Sequence, residues 1–332
     1  MPLPIPPIAD LVGKDARLLF KGGRPGLQKR IVELDGRTYV LQRFGRRAAM
    51  QAFADTVERL RQSGIPVQDV LARAETLRHG NWVVLSYLPG ALIDKAAGKK
   101  AFAALGTVMA RLNALEGGPY RALFDRKQPK LPHAAYLRRH ARTLSPEQRR
   151  WIEGSAARLS ALPGTQLTHG DLHSKNIILL EDGSVGLIDY EMLAYDLSGI
   201  ELAGTFMRPF CRRRANRSAL LDAYLAACPA PLKEIWRAHA ADLLFAAAAR
   251  MALGREDKVR LTRFRDRIAA CRQLLPFGRA AMARQRQAYA ELLEATERRR
   301  VSYLHISRAV VDLSLAEPGM EPITLLERAE AG

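Results

Sequence analysis

The chain is poor in cysteine, with 3 in 332 residues, at Cys211, Cys228 and Cys271. Cysteines so few, so far apart and odd in number exclude a disulfide framework and a CxxC metal site. Aromatic residues make up only 7%, which leaves few platforms on which single-stranded bases could stack. No long uninterrupted apolar run occurs. The most apolar stretch, Ala238–Leu253, is broken by Asp242 and Arg250, so it reads as a buried helix rather than a membrane span. The opening MPLPIPPIADLVGKD lacks the basic start and long apolar stretch of a signal peptide. The expected location is cytoplasmic. There is no internal repeat and no low-complexity tract. Acidic residues are also scarce beside basic ones, 34 against 52, for a net charge of +18.

What is present is 48% hydrophobic and 26% charged, the balance of a globular protein with a real core. The length suits one large domain or two ordinary ones. The basic excess is uneven: residues 208–308 hold 22 Lys and Arg against 9 Asp and Glu, and arginines outnumber lysines 41 to 11 in the whole chain. The guanidinium fork suits phosphate, so an anionic partner is one reading, and solvated faces are the other. Nucleic acid is disfavoured, because no recognised RNA- or DNA-binding motif accompanies the charge.

The first ninety residues read as a sheet with one helix. Arg17–Lys21 is a short apolar strand, followed by the glycine stretch Gly22-Gly23-Arg24-Pro25-Gly26. Gln28–Leu34 and Arg37–Phe44 flank Asp35-Gly36, a strong hairpin signal. Ala48–Gln62 has apolar residues at helical spacing and stops at Ser63-Gly64. Val70–Thr76 and Trp82–Tyr87 read as two more strands, and Pro89-Gly90 closes the region. The remainder is mostly helical, with helices expected over Lys100–Leu115, Ala134–Leu144, Glu147–Leu162, Ala219–Ala227, Leu232–Leu253, Lys258–Leu275 and Arg279–Arg300. A loose tail is expected over Glu317–Gly332. The fold class is α+β.

Residues 168–191 carry the chemistry: THGDLHSKNIILLEDGSVGLIDYE. A loop presents Asp171 and, five residues on, Asn176. Ile177–Leu180 and Val185–Ile188 flank the turn Asp182-Gly183, and Asp189 and Glu191 follow. A two-residue turn folds the second strand back on the first, so Asn176 and Asp189 are expected at the same end of the hairpin. Amide and carboxylate oxygens together suit Mg2+, and Asp171 is left to accept a proton.

This pattern resembles the catalytic region of the protein-kinase-like fold. More narrowly it resembles the aminoglycoside phosphotransferase and choline kinase family, which uses an HGDLHxxN loop and an IDxE metal segment; the lipopolysaccharide core kinase-like branch is a narrower candidate. The resemblance spans roughly residues 15–205. It implies a bilobal fold: an N-lobe over 1–88 with an antiparallel ATP-binding sheet, one helix and a glycine loop (Gly22, Gly23, Gly26), a mostly helical C-lobe over 89–316 with the catalytic loop and substrate site, and a tail over 317–332. It implies ATP and Mg2+ as cofactors, Asp171 as base, and Asn176 and Asp189 as metal ligands, with Glu191 reaching a second metal or the substrate. Ser86-Tyr87-Leu88-Pro89-Gly90 would be the hinge whose backbone meets adenine. Leu105–Leu115 resembles the first large-lobe helix, with Asn113 where the family often has histidine. Asp196 matches the aspartate that braces the catalytic loop.

Other residues carry two readings each. In Val40-Leu41-Gln42-Arg43, strand alternation puts Leu41 and Arg43 on one face, so Leu41 would touch adenine and Arg43 the phosphates, in place of the family's lysine. Lys29 is the alternative basic residue. Glu58 on the helix would partner Arg43, with Asp55 one turn earlier as the alternative. His169 packs beneath the loop. His173 is a surface residue or a substrate contact, and Lys175 is a solvated lysine or a neutraliser of the transferring phosphoryl group. Arg208 and Arg212, with Arg213, Arg214 and Arg217, would lie near the acceptor or form a solvated loop.

The expected function is therefore ATP-dependent phosphotransfer to a hydroxyl of a small-molecule or glycolipid acceptor. The basic segment favours an anionic acceptor, such as a lipopolysaccharide core sugar met at the inner membrane face through peripheral contact with anionic lipid. A protein kinase is less well supported, because HGDLH replaces HRD and no APE-type segment lies between Asp189 and Asp196. A pseudokinase is disfavoured by the presence of Asp171, Asn176 and Asp189 together.

Overall fold

The structure is a computed structural model. It describes residues 5–13, 15–24, 27–76, 80–94, 96–115, 121–122, 165–206, 208–211 and 213–253, with isolated positions between 135 and 162. In chain order the elements begin with α1 (Ile8–Val12), β1 (Arg17–Arg24), β2 (Leu27–Leu34), β3 (Arg37–Phe44), α2 (Arg47–Gln62), β4 (Val70–Thr76), β5 (Gly80–Ser86), β6 (Ala91–Leu92), α3 (Lys99–Asn113) and β7 (Arg121–Ala122). They continue with β8 (Thr165–Thr168), β9 (Ile177–Leu179), β10 (Val185–Leu187), β11 (Ala194–Leu197), α4 (Ile200–Phe206), α5 (Arg214–Ala227) and α6 (Ala230–Leu253). The chain divides into two units: Met1–Ile93, Ala122–Pro129 and His169–Ala194 form one, and the remainder forms the other.

The first unit holds a five-stranded antiparallel sheet in the order β1-β2-β3-β5-β4. Asp35 and Gly36 both take positive φ, 52° and 70°, which is what a two-residue I′ hairpin turn requires. That turn sets the β2–β3 register, Leu34 opposite Arg37 and Lys29 opposite Gln42. One face of the sheet buries Val32, Tyr39, Leu41, Trp82 and Val84 with Ile8 and Leu11 of α1. The other face carries Phe44, which meets Phe53 of α2 at 5.1 Å. Helix α2 stops where Gly64 turns left-handed (φ 70°). Ile65 N–H donates to Leu60 O and Gly64 N–H to Arg61 O, the paired bonds of a Schellman cap. The glycine stretch expected to be a loop is different. Gly22, Gly23 and Arg24 belong to β1 and pair with Lys29, Gln28 and Leu27. Glycines tolerate extended pairing as readily as a turn, so the strand continues, and Pro25 and Gly26 lie outside the described residues.

A second sheet of the same unit, β10-β9-β6, joins the segment after β5 to the 177–187 hairpin. Gly90 (φ 151°) allows this approach, since a Cβ there would stand 2.3 Å from Leu179 O. The loop after α2 touches the hairpin as well, with Leu187 N–H donating to Pro66 O (3.0 Å).

In the second unit α3 packs on α5. Gly106 permits the contact, because a Cβ would meet Leu220 O at 2.3 Å. Phe102 stacks with Phe210, and Phe206 meets Trp236 edge-on. Buried Asn113 donates to Leu167 O (2.8 Å) and to Glu201 Oε2 (3.2 Å), and accepts from Tyr224 Oη (3.0 Å). Burial pushes the Cys211 thiol up to about 12, so it stays a thiol. Among the described residues no helix is long and apolar enough to cross a membrane. The helices expected over Ala219–Ala227 and Leu232–Leu253 are α5 and α6, each beginning earlier. Those expected over Lys258–Leu275 and Arg279–Arg300, and the tail, lie outside the described residues. Ala134–Leu144 and Glu147–Leu162 do so except at isolated positions.

Candidate active site

The site is built on the β9–β10 hairpin of the first unit. Its turn is locked by Asp182, whose Oδ1 accepts from Ser184 N–H (2.9 Å) and Oγ–H (2.6 Å). These bonds lower the Asp182 pKa. Gly183 takes φ 79°. The register then pairs Leu179 with Val185 and Ile177 with Leu187, and Ile188 N–H donates to Asn176 O (3.1 Å). Asn176 and Asp189 consequently meet at one end of the hairpin.

The preceding loop is fastened to the same end. His169 is fully buried, its Nε2 lies 2.9 Å from Ile188 O, and its Nδ1 has no hydrogen-bond partner among the described residues. Burial pushes its pKa down. The ring is therefore neutral, and the nitrogen facing the carbonyl must carry the proton and donate it. Beneath it Tyr190 is buried between His169 (5.9 Å) and Phe53 (6.4 Å), and its hydroxyl donates to Leu187 O. Asn176, 4% exposed, donates from Nδ2 to Asp171 O (3.0 Å). His173 caps the short turn Ser174–Asn176: its Nδ1 accepts from Lys175 N–H (3.2 Å), and its Nε2 lies 3.6 Å from Asp171 Oδ2. Lys175 is exposed.

Asp189 takes φ 68° and ψ 57°, a left-handed conformation that costs a residue with a side chain on the order of 1 kcal/mol. Aspartate is among the residues that tolerate it best. Ile188, hydrogen-bonded on both sides, and buried Tyr190 hold it there. The Asp189 carboxylate faces Lys29 of β2, with Nζ 3.8 Å from Oδ1. Glu191 lies in the following turn, Tyr190–Met192.

The structure brings Asp171, Asn176, Asp189, His173 and Lys29 together, and it separates Arg43 and Leu41 from them. Leu41 is 0% exposed within the α1-side core. The Arg43 guanidinium lies over the Trp82 ring at 6.0 Å and beside Gly80. Alternation places Gln42 and Phe44 on the opposite face, the one that meets α2. The expected contacts of Leu41 with adenine and of Arg43 with phosphate are thus corrected by the face each occupies. Glu58 does not pair with Arg43 either. It bonds Arg73 of β4 at 3.0 Å, and Asp55 bonds the same guanidinium at 2.7 Å. In the hinge segment, Ser86 N–H donates to Asp69 O (2.9 Å) and Ser86 O accepts from Gln68 Nε2 (2.8 Å). Both backbone groups of Ser86 are therefore engaged. Tyr87 is 46% exposed, and Leu88 packs over Gly186. Gly22 and Gly23 lie on β1, with Gly22 opposite Lys29. Arg208 lies in the second unit after α4, Asp196 is buried in β11 of that unit, and Arg212 lies outside the described residues.

Lys29 is the residue that composition and spacing undervalued, though hairpin arithmetic from Asp35-Gly36 places it opposite Gln42. As metal ligands, the Asn176 amide oxygen and the Asp189 carboxylate form a hard-oxygen pair. No group of three His, Cys, Asp or Glu among the described residues forms a self-sufficient metal site. The oxygen chemistry of this pair would suit Mg2+, which takes one or two protein ligands and completes its shell with water and phosphate oxygens.

The structure is similar to that of an ethanolamine kinase from Plasmodium vivax (TM-score 0.50, 12% identity, 79% of this chain and 85% of that one). It is also similar to that of choline kinase LicA from Streptococcus pneumoniae (TM-score 0.50, 15% identity, 80% of this chain and 95% of that one). At such identities the likeness speaks to fold, and it agrees with a kinase-like α+β fold. No curated protein matches the chain. Residues 19–235 match the phosphotransferase enzyme family. That match covers more than half of the chain and includes the whole Asp171–Asp189 segment, and the chain accordingly belongs to the phosphotransferase enzyme family.

Proposed function

We propose that the protein transfers the γ-phosphoryl group of ATP, with Mg2+, to a hydroxyl of a small-molecule acceptor. The observation that carries this reading is the fastening of Asp171, Asn176 and Asp189 to one hairpin end, through the Asn176–Asp171 bond (3.0 Å) and the Ile188–Asn176 bond (3.1 Å). Membership of a phosphotransferase family supports the reaction class.

The Asp171 carboxylate takes the proton of the acceptor hydroxyl as that oxygen bonds to phosphorus and ADP departs. His173, whose Nδ1 accepts from Lys175 N–H, sets its Nε2 3.6 Å from Asp171 Oδ2. Asn176 and Asp189 would hold Mg2+, which neutralises charge on the phosphate oxygens when bound. His169 keeps the two halves of the site together. The acceptor is proposed to be anionic, a phosphorylated metabolite or a glycolipid such as a lipopolysaccharide core sugar. The support is the excess of 22 basic over 9 acidic residues in 208–308, since a cationic acceptor calls for an acidic pocket.

Purified protein with MgATP and a panel of sugars, phosphorylated sugars, amino alcohols and glycolipids tests this by ADP release. Asp171→Ala should lower turnover on the best acceptor about 100- to 10,000-fold. Unchanged turnover in that variant would overturn the assigned base. Transfer to a cationic amino alcohol alone would overturn the acceptor class.

A further inference from the structure

We infer that Lys29, on β2, is the side chain that binds the phosphates of the nucleotide, and that Arg43 on β3 is a structural residue. The inference rests on the ATP reading above and assigns a residue within that site. Three observations converge on it. The β2–β3 register sets Lys29 directly opposite Gln42, so the two share a face. On that face lie Phe44 and α2, and Phe53 of α2 packs on Tyr190, the neighbour of Asp189. The Lys29 side chain, 19% exposed, reaches along it to place Nζ 3.8 Å from Asp189 Oδ1. At that distance the ion pair is loose, and an ammonium with three donors retains capacity for phosphate oxygens. The residues flanking Lys29 across the sheet are Gly22 on β1 and Gln42 on β3, neither of which brings a competing charge.

Arg43 is accounted for elsewhere. It and Arg30 both lie over the Trp82 ring, at 6.0 and 5.6 Å, and Trp82 is 2% exposed in the α1-side core. Two guanidinium groups against one indole ring are a packing arrangement. Moving Arg43 to the Asp189 side would require the strand to slip by one residue, which would turn Leu41 and Tyr39 out of that core. The acidic residues of α2 do not compete for Lys29, because Asp55 and Glu58 are both occupied by Arg73.

The test measures MgATP affinity by calorimetry on full-length protein, with melting temperatures as a check on folding. The variants are Lys29→Gln, Lys29→Arg, Arg43→Gln and the exchange Lys29→Gln with Gln42→Lys. Loss of one charge-assisted contact should weaken nucleotide binding about 10- to 100-fold in Lys29→Gln, with Lys29→Arg retaining part of the affinity. Arg43→Gln should bind nucleotide as the wild type does and should melt lower. The exchange variant should recover affinity over Lys29→Gln, because opposed residues of a ladder lie about 5 Å apart. The inference is overturned if Lys29→Gln binds like wild type, or if Arg43→Gln loses nucleotide to the same extent. Absence of MgATP binding by the wild-type protein would instead defeat the reading of the site as an ATP site, and this assignment with it.

Discussion

Mild acid should weaken this fold through His169. The ring is fully buried and its pKa is pushed below the ordinary 6.5 by loss of hydration, against the opposing pull of Ile188 O and of the nearby Asp189 and Asp171 charges. In the unfolded chain the imidazole titrates normally. As pH falls through 6.5 the unfolded state therefore gains a proton that the folded state refuses, and stability falls with pH. Above 6.5 neither state is protonated and the contribution is constant. The loss is confined to the window between the ordinary pKa and the lowered one of the folded protein, and it stops growing below the latter. Even a loss on the order of 1 kcal/mol is a sizeable share of a total stability of about 5–15 kcal/mol. His169→Phe removes the titration together with the 2.9 Å bond to Ile188 O, and should be about 1–3 kcal/mol less stable than wild type at pH 7.5. Urea unfolding of both proteins at pH 7.5 and 5.5 supplies the comparison, because other titrating groups cancel in the difference. The gap between them should narrow at the lower pH. A gap that stays constant would mean that folding does not lower the His169 pKa, and a gap that widens that folding favours the imidazolium; either result would overturn the assignment of a neutral ring.

Two further substitutions test packing in the second unit. Gly106→Ala puts a Cβ 2.3 Å from Leu220 O and should destabilise by about 1–3 kcal/mol or more. Helix propensity alone would stabilise it by about 1 kcal/mol, so thermal melting decides by its sign. Asn113→Leu removes the buried amide's bonds to Leu167 O, Glu201 Oε2 and the Tyr224 hydroxyl. A loss of about 3 kcal/mol or more is expected in urea unfolding, and a loss below 1 kcal/mol would show that water replaces the amide.

The hairpins were readable without coordinates. Asp35-Gly36 dictates its own register, whereas at Asp182-Gly183 the loop takes three residues, 181–183, in place of the expected two and sets Ile188 N–H on Asn176 O; Asn176 and Asp189 still share one end of the hairpin. The glycine stretch misled, because Gly22 and Gly23 suit both a turn and an extended pair, and nothing local separates the two. Ser86 misled for a similar reason: as a hinge residue it looked available, yet Gln68 and Asp69, eighteen and seventeen residues earlier, take its backbone groups.

Alternation along β3 assigned Leu41 and Arg43 to one face and Gln42 to the other, and that much was local. Which face meets Asp189 was not. It depends on where α2 and α1 pack, with Phe53 on Phe44 and Tyr190 on one side and Ile8 and Leu11 on the other. Burial of apolar surface between segments distant in the chain makes that choice. A strand's pattern reports only that its faces differ. The side that receives the reactive loop is settled when the helices dock, and here docking turns Arg43 toward Trp82 and leaves Lys29 beside the carboxylate.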